Sequence, residues 1–172
     1  MQNTTLYLIR HSIKYDIKDI VENYNTSDNE QIKNEKLVLS VEGEKRAEIL
    51  SNEKELQNID TVYASVLVRT LETAKYLLEK QNLKINLDSR LDERRRGRPN
   101  DDIYPDWFTK QFLDENFKTE FGESQKEVRE RTFNALMNVL KSDDKKIAIV
   151  YKSKYGCTMK YAGWLAIKLN AD

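Results

Sequence analysis

The chain contains a single histidine. His11 directly follows Arg10 at the end of the apolar run TTLYLI. A neutral imidazole is a good nucleophile toward phosphorus, and the phosphohistidine it forms is labile enough for water to hydrolyse. Guanidinium groups suit the same reaction, because their planar forks grip phosphoryl oxygens in pairs and neutralise charge as the transition state forms. Arg10 and Arg69 are the candidates for that part. Cations nearby also disfavour imidazolium, so an imidazole with a reference pKa of ~6.5 is pushed toward its reactive neutral form. The departing alkoxide needs a proton, and Glu93, which opens a charged loop, is the candidate acid.

These groups are far apart in the chain, so secondary structure must bring them together. Residues 4–9 form a compact β-branched and aromatic run, expected to be a buried strand. The stretch 59–68 (IDTVYASVLV) reads as a second strand ending near Ser65, Ile85–Leu87 as a third, and 145–151 (KKIAIVY) as the clearest buried strand. Between them lie helical patterns. Ser40 is placed to cap a helix that presents Ala47, Leu50 and Leu56 on one side. Leu71, Ala74, Leu77 and Leu78 recur at helical spacing, and 127–141 is an amphipathic helix with Val128, Phe133, Leu136, Met137 and Leu140 toward a core. The polar segment 14–36 and the stretch DERRRGRPNDDIYPD read as loops. Such alternation predicts an α/β three-layer sandwich, with a mostly parallel central sheet flanked by helices. Ligands of such sheets bind beyond the carboxyl ends of the strands. Arg10–His11, Ser65 to Arg69 and Tyr151 to Lys154 would then converge on one rim.

Composition narrows the alternatives. The 172 residues suit a single domain, and 29 basic residues balance 29 acidic ones, so no global field favours nucleic acid or an anionic membrane. The short basic run 94–98 (RRRGR) is followed by Asp101 and Asp102, and reads as a solvated loop near a phosphate site. One cysteine, Cys157, excludes an internal disulfide, and one Cys with one His argues against a zinc site. No apolar stretch reaches the ~20 residues of a membrane span, and the N-terminus lacks a signal-peptide layout. A cytoplasmic protein is expected.

Five ordered blocks carry a family resemblance: LIRHS, LSVEGEKRA, YASVLVRTLETA, LDERRRG and GESQKEV. Together they resemble the histidine phosphatase superfamily, also called phosphoglycerate mutase-like. The Arg-His-Gly signature is represented by Arg10-His11-Ser12, and the Leu-Ser/Thr-x-x-Gly helix start by Leu39 to Gly43. Ser65, Arg69 and Thr73 follow the family's Ser-x-x-x-Arg-x-x-x-Thr spacing. The resemblance implies that His11 accepts the phosphoryl group, Arg10 and Arg69 bind it, and Glu93 donates the proton. It implies no metal and no organic cofactor, and a small phosphorylated substrate rather than nucleic acid or membrane. Members with short insertions tend to be phosphatases, whereas phosphoglycerate mutases usually have longer chains.

Two positions depart from the family pattern. Ser12 replaces a glycine, and the final strand runs into Tyr151-Lys152-Ser153 where the family has Ser-His-Gly. Lys152 thus stands in the place of the second histidine, with Lys154 as an alternative cation. From about residue 151 onward the sequence is atypical for the family's ending. The expectation is therefore a phosphatase, with an impaired phosphate-binding relative and a mutase-type phosphotransferase as alternatives.

Overall fold

The computed structural model describes residues 4–16, 34–97 and 102–152. The chain divides into two compact units, Met1–Asp92 with Leu140–Lys152, and Glu93–Val139 with Ser153–Asp172.

The first unit is built on a sheet of four parallel strands: β1 (Thr5–Arg10), β2 (Thr61–Ala64), β3 (Ile85–Leu87) and β4 (Lys146–Tyr151). Their spatial order is β1-β4-β2-β3. The central position of β4 explains its composition. Ile147, Ala148, Ile149 and Val150 are all buried, as a strand covered on both faces requires. β1 was expected to be buried but is half-covered, with Thr5 and Arg10 exposed; among the described strands it borders β4 alone.

Two helices of this unit pack on each other, α1 (Val41–Leu50) and α2 (Val68–Gln81). Ser40 caps α1 as expected: its side chain accepts from the Gly43 amide at 3.0 Å. α1 stops at Leu50, and Leu56 is carried by a separate turn of 3-10 helix, Lys54–Leu56. α2 ends at Asn82 in the left-handed conformation, one of the residues that tolerates it. Ala74 and Leu77 of α2 join Val62, Ala64, Ala148 and Val150 in the apolar core.

The second unit contains α3 (Trp107–Leu113) and α4 (Gln125–Val139). α4 begins two residues before the expected Glu127. Ser124 and Glu127 form a reciprocal capping box, with the Ser124 amide donating to Glu127 Oε2 at 2.8 Å and the Glu127 amide to Ser124 Oγ at 3.1 Å. Of the residues expected to face a core, Val128 and Leu136 are buried, while Phe133, Met137 and Leu140 are half-buried. Among the described residues, no helix is long and apolar enough to cross a membrane.

Candidate active site

Strand register brings the first unit's candidate residues together. Arg10 pairs with Tyr151, and the His11 amide donates to the Tyr151 carbonyl at 2.9 Å. His11 and Lys152, the next residues on their strands, therefore leave the sheet side by side. The Ser65 amide donates to the Val150 carbonyl at 3.1 Å, which sends the β2 exit to the same rim. Three residues later the chain has turned into α2, with Arg69 in its first turn. Arg69 is fully buried, whereas Arg10 is exposed.

The His11 loop is held from both sides. On one side, the Ile13 carbonyl accepts from the Ser40 amide at 2.9 Å and the Ser40 hydroxyl at 3.2 Å. α1 comes so close here that a Cβ at Gly43 would lie 1.9 Å from the Ile13 oxygen. Only a residue without a side chain fits, which gives that motif glycine its physical reason. On the other side, the Ser12 amide donates to Thr73 Oγ1 at 3.0 Å, and the Thr73 hydroxyl donates to the Arg69 carbonyl at 2.7 Å. Ser65 Oγ meets Thr70 Oγ1 at 2.9 Å beneath this turn. Ser65 and Thr73 thus brace the turn that bears Arg69. Ser12 itself is not among the residues with positive φ, so the glycine found there in the family is not required by this backbone.

His11 has a defined tautomer. Its Nδ1 lies 2.6 Å from the Ser12 carbonyl oxygen, which can only accept, so Nδ1 carries the proton in the neutral ring. The lone pair then resides on Nε2, which is buried and has no hydrogen-bond partner among the described residues. Burial pushes the imidazole pKa down from 6.5 to about 4; the Ser12 carbonyl opposes this, and the charges of Arg69, Lys152 and Arg10 reinforce it. The ring is therefore neutral near neutral pH, with its nucleophilic nitrogen unengaged.

Asn34 was not singled out in the sequence, where it is one asparagine in a polar stretch. Its backbone carbonyl accepts from Arg69 Nη1, and its side-chain Oδ1 accepts from both Arg69 Nη2 and Lys152 Nζ, each at 3.3 Å. Lys154 and Cys157 lie outside the described residues, as do the rest of the atypical ending beyond Lys152 and residues 98–101 of the basic loop.

Residues 6–168 match the histidine phosphatase superfamily (branch 1). The chain belongs to that superfamily. Phosphoserine phosphatase 1 of Hydrogenobacter thermophilus is 28% identical over 141 residues, which is 77% of this chain and 66% of that protein. The chain thus spans slightly less than two thirds of the length of this curated relative. A mycobacterial glucosyl-3-phosphoglycerate phosphatase structure superposes with a TM-score of 0.69 at 19% identity, covering 94% of this chain and 79% of that one. The alpha-ribazole phosphatase from Shigella flexneri gives a TM-score of 0.66 at 20% identity, covering 93% and 78%. These structures share its fold.

The second unit of this histidine phosphatase superfamily member joins two further motif blocks. Glu93 opens it, half-buried. The loop that follows runs against residues 119–123: the Glu123 amide donates to the Arg95 carbonyl at 2.9 Å, and the Arg95 amide to Glu123 Oε2 at 2.9 Å. Thr119 Oγ1 donates to the Arg96 carbonyl. Gly97 has a φ of +69°, and a Cβ there would strike the Glu120 oxygen at 2.2 Å. Burial would raise the Glu123 carboxyl, but Arg131, the Arg95 amide and both guanidinium charges hold it below its ordinary range. Arg131 Nε donates to Glu123 Oε1 at 2.8 Å. The aromatic stretch 104–108 divides in two. Tyr104 packs edge-on against Phe117 at 6.2 Å and accepts from the Glu120 amide through its hydroxyl, whereas Phe108 lies on α3 with its ring half-exposed.

Proposed function

We propose that this protein is a phosphatase that hydrolyses small phosphomonoesters through a phosphohistidine on His11. The observation that carries the reading is the buried Nε2 lone pair, its tautomer set by the Ser12 carbonyl and its ring subject to the charges of Arg69, Lys152 and Arg10. Nε2 attacks phosphorus as the bond to the ester oxygen breaks. Arg10, Arg69 and Lys152 bind the phosphoryl oxygens and take up charge in the transition state. Glu93 protonates the departing alkoxide, a role assigned by the family resemblance and by the need for an acid. Water then attacks phosphorus as its bond to Nε2 breaks, the water proton passes to the Glu93 carboxylate, and inorganic phosphate departs with the Nε2 lone pair restored.

Sugar phosphates and phosphoglycerates are the proposed substrate class, in keeping with the names of the relatives. A cytoplasmic setting, with neither nucleic acid nor membrane as partner, belongs to the same proposal. It is supported by the balanced charge and the single cysteine. Incubation with p-nitrophenyl phosphate should release nitrophenol and leave acid-labile phosphate on the protein, and His11→Ala should abolish both. Turnover that survives that substitution would overturn the proposal.

One observation favours a slower enzyme as a second reading. Lys152 offers a flexible ammonium where the family supplies an imidazole. Lys152→His should then raise kcat by an order of magnitude or more, and an unchanged, already rapid turnover would exclude this reading. Product analysis with 3-phosphoglycerate separates hydrolysis from a mutase-type transfer.

A further inference from the structure

Asn34 presents two oxygen atoms to Arg69 and Lys152, two of the cations whose charges act on His11. Arg69 is fully buried, and an ionised guanidinium taken out of water needs acceptors. The Asn34 carbonyl and Oδ1 supply two of them, and Oδ1 also reaches Lys152. Two oxygens on a guanidinium, one of them also reaching an ammonium, form a pattern that a phosphoryl group would present to those cations. Both side-chain contacts are long, at 3.3 Å, and the amide is neutral. A phosphate dianion makes shorter and stronger charge-assisted bonds to the same groups.

We propose that Asn34 is an internal stand-in for the phosphoryl group, competing with substrate for Arg69 and Lys152. The inference rests on the phosphatase reading of the site and adds an affinity-setting residue to it. Binding of a phosphomonoester displaces Oδ1 from both cations, so affinity is lowered by whatever that contact contributes. The chemical step takes place after Asn34 has been displaced. Asn34 therefore acts on KM and on the inhibition constant for product phosphate, and kcat is left to the groups that touch phosphorus.

The test is binding of inorganic phosphate to the full chain, followed by calorimetry and by the ring resonances of the single imidazole. Asn34→Ala removes Oδ1 from both cations and should tighten phosphate binding by about tenfold, as expected for releasing one hydrogen bond to charged groups. Asn34→Asp places a carboxylate against the same cations and should weaken binding by at least as much. In active protein, Asn34→Ala should lower KM with kcat nearly unchanged, a split that general loosening of the fold would not give. In a Lys152→Met background the gain from Asn34→Ala should shrink. Weaker or unchanged phosphate binding in Asn34→Ala would overturn the competition while leaving the phosphatase reading in place. Absence of phosphate binding in both the wild type and Asn34→Ala would bring down the pocket itself, and the inference with it.

Discussion

Two clusters of cations, one in each unit, meet different kinds of acceptor. In the second unit, Arg131 and Arg95 converge on Glu123, a carboxylate whose side chain is only 13% exposed. The acid is held ionised by its partners, and those partners in turn fix the loop that follows Glu93. In the first unit, Arg69 and Lys152 share the neutral amide of Asn34, and together with Arg10 they lower the pKa of a neutral imidazole. Charge matched by charge builds a brace. A neutral amide shared by two cations is more readily exchanged for an incoming anion than a carboxylate would be, and this contact sets the His11 cluster beside the Glu123 cluster although both are rich in basic residues.

The contrast predicts different responses to the same kind of substitution. Arg69→Met should reduce kcat/KM by about 10³-fold, the scale for removing a positioned donor from a transition-state oxyanion. The melting temperature should fall by less than the activity loss would suggest, since the apolar side chain keeps the packing while the Asn34 oxygens lose a donor. Activity assays beside a thermal scan decide this, and a stability loss with intact activity would erase the distinction. Arg131→Met should do the reverse: destabilise by about 2 kcal/mol, because a half-buried carboxylate loses its partner, while phosphate affinity is unchanged. Since Glu123 has a depressed folded pKa, its contribution to wild-type stability is present above its ordinary value of 4.5 and lost as pH falls below it. That loss should flatten in Arg131→Met, as seen in denaturant titrations across the range.

The smallest effect concerns the imidazole itself. A ring titration of the single histidine should have its midpoint near pH 4, and the midpoint should rise in Lys152→Met because a repelling cation is gone. The unfolded chain takes up this proton near pH 6.5 and the folded chain only near 4. The stability due to the neutral ring is therefore complete above pH 6.5 and is lost as pH falls through that interval. A wild-type midpoint near 6.5 would show that neither burial nor the three cations act on the ring.

Much of this arrangement was legible before the structure, for identifiable reasons. β4 and β2 announce themselves through apolar runs, because central strands are buried on both faces. The alternation of strand and helix then implies a parallel sheet, and a parallel sheet implies a common rim for Arg10, His11, Arg69 and Lys152. Ser40 was recognisable as a cap because its partner lies three residues away. Asn34 was not, since its contacts span 35 residues to Arg69 and 118 to Lys152, and nothing local marks it. That Lys152 acts on His11 follows from the β1–β4 register, which sequence spacing does not supply, while Lys154 lies outside the described residues. The early start of α4 came from the capping box at Ser124 and Glu127, a local signal that the apolar pattern of the helix had overshadowed.

The position of β1 has a consequence for heat inactivation. Among the described strands β1 borders β4 alone and is half-buried, whereas β4 lies between β1 and β2 and is buried, so the described margin that carries the imidazole is less covered than the sheet's centre. Warming should detach that margin before the interior melts. Catalysis would then cease while far-UV ellipticity still reports an intact fold, and cooling from that interval should restore it.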